Sequence, residues 1–283
     1  MYTNRHMNPP FTRKHVVTAV ICVITMFSHL LLPCVSGQSP NTPLVELARA
    51  NNLKGLNNAL IKGVSPDQRG KGGETALMAT TIYKNTSALQ MLLQAGANVN
   101  AVDNDGYTAL SMACLNERPR SVHLLLEHRA DVNHEDRYGW TVLEYAIMHS
   151  SSDNLAIIRD IIQHHANVNH RRHDNEGTPL MMASSGYGKS GDIYLNIIKA
   201  LIIDGANVNA KTKQGGTALM GAASHGNEKI VRLLLANHAD PNVQNKSGKT
   251  ALMYATQKKY VSIVKLLQKA IQDYKKSKLA GTK

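Results

Sequence analysis

Four histidines, His164, His165, His170 and His173, crowd one segment and Asp174 follows them. Imidazole and carboxylate together are the raw material of a metal site or of a proton switch. A zinc site needs ligands about 2 Å from one ion, at a spacing that a rigid element fixes. His134 and His170 occupy equivalent places in successive units of the chain, and neighbouring packed elements lie roughly 10 Å apart, too far for that pair to share an ion. No metal is expected. The same imidazoles charge below about pH 6.5, which makes a pH response the alternative; polar loop residues are the simplest reading. A second stretch, Ala183-Ser184-Ser185-Gly186-Tyr187-Gly188-Lys189-Ser190, imitates a phosphate-binding loop. Its first glycine is replaced by Ala183 and it follows a helical pattern, whereas a phosphate loop follows a strand. No Gly-x-Ser-x-Gly elbow and no His-Glu-x-x-His helix occurs. The expectation is a protein without catalysis and without a cofactor.

The elements that carry these residues are set by a repeat. A Gly-x-Thr-Ala/Pro-Leu-like segment places Thr75, Thr108 and Thr141 33 residues apart, then Thr178 and Thr217 after two longer gaps, and Thr250 33 residues after Thr217. About 21 residues after each Thr comes a stop and an Ala-Asn/Asp-Val/Pro-Asn run, as in Gly96-Ala97-Asn98-Val99-Asn100 and His238-Ala239-Asp240-Pro241-Asn242. Each Thr suits a helix N-cap, its hydroxyl accepting from a first-turn N–H, and the Ala or Pro after it suits the first helical position. Two short apolar helices follow. The Gly that ends the second is the usual left-handed C-cap residue, and Arg129, His165 and His238 stand in the same column. The polar, turn-rich stretch before the next Thr reads as a β-hairpin finger. A period in this range means stacked supersecondary units rather than one core with a pocket.

These motifs closely resemble the ankyrin repeat, over about residues 42 to 271, and the N-terminus makes the chain similar to an exported bacterial member of that family. The resemblance implies an all-α solenoid of about seven units, starting near 42, 75, 108, 141, 178, 217 and 250, with degenerate ends. Where the family has His after Thr-Pro-Leu, this chain has Met78, Ser111, Glu144, Met181, Met220 and Met253. Thioether packing is expected to replace the hydrogen bonding that His supports. Two units are longer, near His149 to Asp153 and around Ser184 to Asp192, and both insertions fall between the helices of a unit, as neutral loop growth or at a binding face.

The N-terminus is another kind of sequence. Arg5, Arg13 and Lys14 precede an apolar run from Val16 to Phe27, Leu30 to Leu32 extend it, and no acidic residue occurs before Glu46. Small residues before Gln38 suit cleavage, so residues 1–37 have the order of a secretory signal peptide. The rival is an uncleaved anchor, since residues 16–35 are just long enough to span a bilayer. Of the three cysteines, Cys22 and Cys34 lie in this segment, which leaves Cys114 alone, a small buried group in a first helix, and allows no internal disulfide. A periplasmic or secreted bacterial protein is expected, or an inner-membrane anchored one.

The formal charge is +12, and removing Arg5, Arg13 and Lys14 leaves 29 basic against 20 acidic residues, part of the excess lying in a basic tail at 272–283. Such a surface attracts acidic partners. Nucleic-acid recognition needs a recognition helix or aromatics interleaved with basic residues, and with two Phe and one Trp neither is visible. In this family the fingers and first helices line the concave face. Tyr107 and Trp140 are finger residues just before a Thr, Tyr138 is close by, and Arg137, Arg171 and Arg172 flank them. Trp, Tyr and Arg dominate protein hot spots. The expected site is a protein partner's dock centred on Trp140; the alternative is that Trp140 braces the stack. A monomer is expected.

Overall fold

The computed structural model describes residues 43–84, 86–148, 152–186 and 191–280. The signal or anchor segment, Cys22, Cys34 and the centres of both insertions, 149–151 and 187–190, lie outside the described residues. Among these residues the helices come in pairs: α1 (Leu44–Arg49) with α2 (Leu53–Ile61), α3 (Ala76–Thr80) with α4 (Ser87–Gln94), α5 (Ala109–Leu115) with α6 (Pro119–Glu127), and α7 (Val142–Met148) with α8 (Ser152–Gln163). Then come α9 (Pro179–Ser184) with α10 (Gly191–Ile203), α11 (Ala218–Ser224) with α12 (Glu228–Ala236), and α13 (Ala251–Gln257) with α14 (Val261–Ala280). First helices pack on the first helices of the neighbouring pairs, and from α6 onward second helices pack on second helices, so the stack grows by one pair at a time. Helices of five to nine residues are not stable alone in water. They exist here because each packs on its own partner helix and on a neighbouring unit.

The first helices approach closely because one column is small: Ala113, Ala146, Ala183, Ala222 and Ala255 are all fully buried. Thr80 holds the same column in α3, its hydroxyl satisfied by the Leu77 carbonyl at 2.7 Å. Second helices supply the bulk, for example Val122, Leu125 and Leu126 from α6 and Ile230, Val231 and Leu234 from α12. Burying each such side chain contributes about 1.5–3 kcal/mol. Cys114 is buried, and burial pushes its thiol well above the ordinary range, which makes it a packing residue.

Thr75, Thr108, Thr178, Thr217 and Thr250 cap their helices, each hydroxyl accepting from the N–H three residues on at 3.2–3.4 Å. At Ser111 and Glu144 the expected thioether packing gives way to hydrogen bonding. Ser111 Oγ accepts from Thr108 N–H at 2.7 Å, and the Glu144 carboxylate accepts from both the N–H and the hydroxyl of Thr141, at 3.0 and 3.2 Å. At the other end, Gly63, Gly96, Arg129, His165, Gly205 and His238 take φ between 63° and 85°. The next N–H then reaches back into the helix, as Ala130 to Leu125 O at 3.0 Å and Ala239 to Leu234 O at 3.0 Å, closing the carbonyls that a helix end leaves open.

Two expectations change. The fingers form no strand among the described residues beyond one isolated bridge, Arg69 with Thr75. Each finger is too short for a ladder: Asp136 N–H bonds Trp140 O at 3.0 Å, and the Asp136 carboxylate takes the N–H groups of Tyr138 and Trp140 at 2.8 and 2.9 Å. Side-chain turns of this kind compete with sheet pairing. The second change is at the C-terminus, where α14 runs on to Ala280, so the boundary expected at 271 lies inside a helix.

Candidate functional site

The residues picked out around Trp140 do gather, but not all at the surface. The Trp140 ring stacks on Tyr145, centroids 5.6 Å apart and planes 22° apart, while the Arg172 guanidinium lies 4.4 Å over the Trp140 ring. Arg172 is only 4 % exposed and is held by Asp174 through two bonds of 3.2 and 2.6 Å. Tyr107 is 6 % exposed, its ring 5.9 Å from that of Tyr145. Tyr145 itself donates to the Asp136 carboxylate, and burial first, then that carboxylate, holds its phenol well above the ordinary range. Tyr107 and Arg172 are therefore braces inside the fingers. Trp140 is half-buried between Tyr145 and Arg172.

Facing water are Arg137, Tyr138 and Arg171. Tyr138 is 49 % exposed, with the Arg137 guanidinium 5.6 Å from its ring centre. Arg137 also pairs with Asp105 of the preceding finger, and its N–H bonds Asp105 O at 3.2 Å. Arg171 bonds Glu176 at 2.6 Å and Lys211 O of the next finger at 2.8 Å.

The histidines scatter to separate tasks. His128 and His164 cap helix carbonyls at 2.8 and 2.9 Å, and His134 reaches Gly106 O at 2.9 Å. His170 is buried between two carboxylates, Nε2 3.1 Å from Glu135 and Nδ1 3.3 Å from Glu144, with neither nitrogen in hydrogen-bond alignment. His173 Nε2 lies 3.0 Å from the other oxygen of Glu135. The contact with Glu144 is the main reason that the His170 imidazole is held above its ordinary pKa. Among the described residues no group of three or more His, Cys, Asp or Glu could hold a metal ion. Between α6 and α8 a groove of about 670 Å³ is lined by Pro119, His123, Leu124, Ile157 and Asp160, with His123 and Asp160 already paired at 3.2 Å. Ala183 to Ser185, the start of the phosphate-loop imitation, closes α9.

One arrangement was not read from the sequence. The final Asn of the first four Ala-Asn/Asp-Val-Asn runs reaches into the next unit. The side-chain carbonyls of Asn100, Asn133, Asn169 and Asn209 accept from the N–H groups of Asp131, Asn167, Asn207 and Asp240 at 2.7–2.8 Å. Their amides donate onward to the carbonyls of Arg129, His165, Gly205 and His238 at 2.9–3.4 Å. The recurring Asn is the visible signal; only the stack supplies its partners.

A row of capped helix pairs, stitched by an asparagine ladder and presenting a row of fingers, is the class of repeat solenoid. The family described as Ankyrin repeats (3 copies) matches residues 44–136, 102–172, 122–212 and 180–277, and the chain belongs to the ankyrin repeat family. Among solved structures, the chain is similar to the ankyrin repeat domain of Bcl-3, described as a unique member of the IkappaB protein family. That similarity has 25 % identity and a TM-score of 0.68, over 81 % of this chain and 100 % of that one. It is similar in fold to the human ASB11 ankyrin repeat domain, at 24 % identity and a TM-score of 0.66, over 81 % of this chain and 98 % of that one. No curated protein sequence matches the chain. The ankyrin repeat domain is a general protein–protein interaction module.

Proposed function

We propose that this chain is a non-enzymatic binding module of seven ankyrin units that takes a protein partner on its finger and first-helix face. The observation that carries the reading is the Trp140 sandwich. Tyr145 and Arg172 hold the indole rigid, and Arg137, Tyr138 and Arg171 stand exposed around it. A rigid aromatic flanked by exposed Tyr and Arg is the composition of an interface hot spot, since little side-chain entropy is lost on docking. The positive charge of the chain, +12 overall, favours an acidic partner.

The test places a photo-crosslinking residue at Tyr138 and, separately, at the exposed Gln90 of α4 on the second-helix face. A discrete protein adduct from position 138 and none from position 90 supports the reading. The reverse result refutes it.

Export is part of the same proposal. The basic start and the apolar run from Val16 support a processed module in the periplasm or medium; the same run retained as an anchor would make a membrane-tethered scaffold, and a secreted effector binding host proteins shares the processed form. N-terminal sequencing of protein from fractionated cells decides the first point. A start at or near Gln38 in a soluble fraction supports processing, and an intact N-terminus in membranes supports the anchor.

A further inference from the structure

Two residues before each capping Thr the fingers turn through a left-handed residue. In five of them it is glycine, Gly73, Gly106, Gly139, Gly215 and Gly248, with φ between 71° and 85°. In the sixth it is Glu176, at φ 57°. A side chain at positive φ costs backbone energy that glycine does not, so the carboxylate calls for a reason.

Its surroundings supply one. Glu176 is 42 % exposed and accepts from Arg171 at 2.6 Å. Arg171 comes first among the causes that hold the Glu176 carboxyl below its ordinary range, with Lys213 and Lys246, from the next two fingers, adding to it. Lys211 is exposed beside them, and Lys213 Nζ also bonds His173 O at 2.7 Å. The neighbouring carboxylate, Asp174, is engaged by the buried Arg172. The two fingers immediately upstream are net acidic, with Asp103, Asp105, Glu135 and Asp136 against Arg137. From these two fingers to those that follow Arg171 the charge changes sign, and the tethered Glu176 carboxylate sits among Arg171, Lys213 and Lys246.

We propose that the fingers from Arg171 to Lys246 bind an acidic, extended peptide segment of a protein partner, and that Glu176 is a built-in competitor for the place its carboxylate takes on Arg171. This rests on the finger-face reading above and adds the partner's chemistry. The geometry also sets a spacing. Units are roughly 10 Å apart and an extended chain rises about 3.3 Å per residue, so carboxylates at every third position match successive fingers.

The probe is a fluorescein-labelled peptide of repeating Glu-Gly-Ser, read by anisotropy at low ionic strength against the full processed chain. An exposed ion pair is a weak competitor, so E176G is expected to tighten binding by roughly two- to threefold. E176Q keeps the backbone conformation and is expected to do the same. The double variant K213Q/K246Q is expected to weaken binding several-fold. D273N makes the same charge change as E176Q on α14 and is expected to leave affinity unchanged. Thermal melts establish that each variant is folded, and E176G suits the turn better than wild type. Equal affinities for E176G, E176Q and wild type overturn the proposal. So does a matching gain in D273N, which makes the effect one of net charge, or a Glu176-dependent affinity seen only for an anionic phospholipid vesicle or an oligonucleotide. A partner crosslinked at Tyr138 whose capture ignores E176G refutes the acidic-peptide assignment and leaves the finger-face reading standing.

Discussion

The asparagine ladder makes a prediction whose size can be worked from the structure. Asn133 accepts from Asn167 N–H at 2.7 Å and donates to His165 O at 3.2 Å, so Asn133→Ala removes two bonds from one junction. The groups left behind are exposed and recover water, which puts each loss at the low end of about 0.5–1.5 kcal/mol and the total at roughly 1–2 kcal/mol. Asn133→Asp keeps the acceptor and loses the donor, so it should cost about half. For a domain of this size the alanine variant should melt roughly 2–8 °C lower. Stability in a repeat stack is a sum of unit and nearest-neighbour interface terms, so Asn133→Ala and Asn169→Ala, at different junctions, should be nearly additive. Urea unfolding followed by circular dichroism measures both midpoint and slope. A change below about 0.3 kcal/mol in both single alanine variants would refute the claim that the ladder stitches the units, because that is the error of additivity itself.

His170 predicts a pH dependence. Its pKa is raised in the folded state, chiefly by Glu144 and further by Glu135, so its contribution is fully present below the ordinary value of about 6.5 and is lost as pH rises through the folded value. Melting temperature should fall from about pH 6 toward pH 8 in wild type, and H170Q should flatten that slope; an identical slope in both would remove His170, with its Glu135 and His173 neighbours, as the cause. At the helix ends, Arg129 holds a left-handed position at φ 63° where Gly96 and Gly205 stand in open space. R129G should therefore stabilise by up to about 1 kcal/mol, measured by urea midpoint, and a loss of stability would mean that the Arg129 side chain matters more than its backbone.

What was legible in the sequence was local. A Thr that caps and a residue that turns left-handed both act within one helical turn, so the helix ends, including those at Arg129, His165 and His238, could be read without knowing the neighbours. The fingers misled because turn-rich polar sequence resembles hairpin sequence, and only the short reach from Asp136 to Trp140 shows that side-chain turns replace strand pairing. In the sequence Arg172 stands beside Arg171 as one more cation flanking the Trp140 dock. Counting from the bond that closes each finger instead aligns it with Asp103, Asp136 and Asn245, whose side chains fold inward. The extra residue in the Arg172–Gly177 finger hid that alignment. His170 was visible as a histidine, but its place between Glu135 and Glu144 joins two units and has no signature in either alone.

An open stack presents, at the last unit described, the same kind of surface that every internal unit offers its successor. Such a surface is heterologous and does not close, so left bare it invites a second molecule to continue the row into a fibre. Along α14 stand the exposed Lys265, Lys269, Lys275 and Lys276, with Asp273 among them. Any copy arriving to lengthen the row carries the same net charge of +12, and repulsion between two like-charged molecules opposes its approach, which favours the monomer.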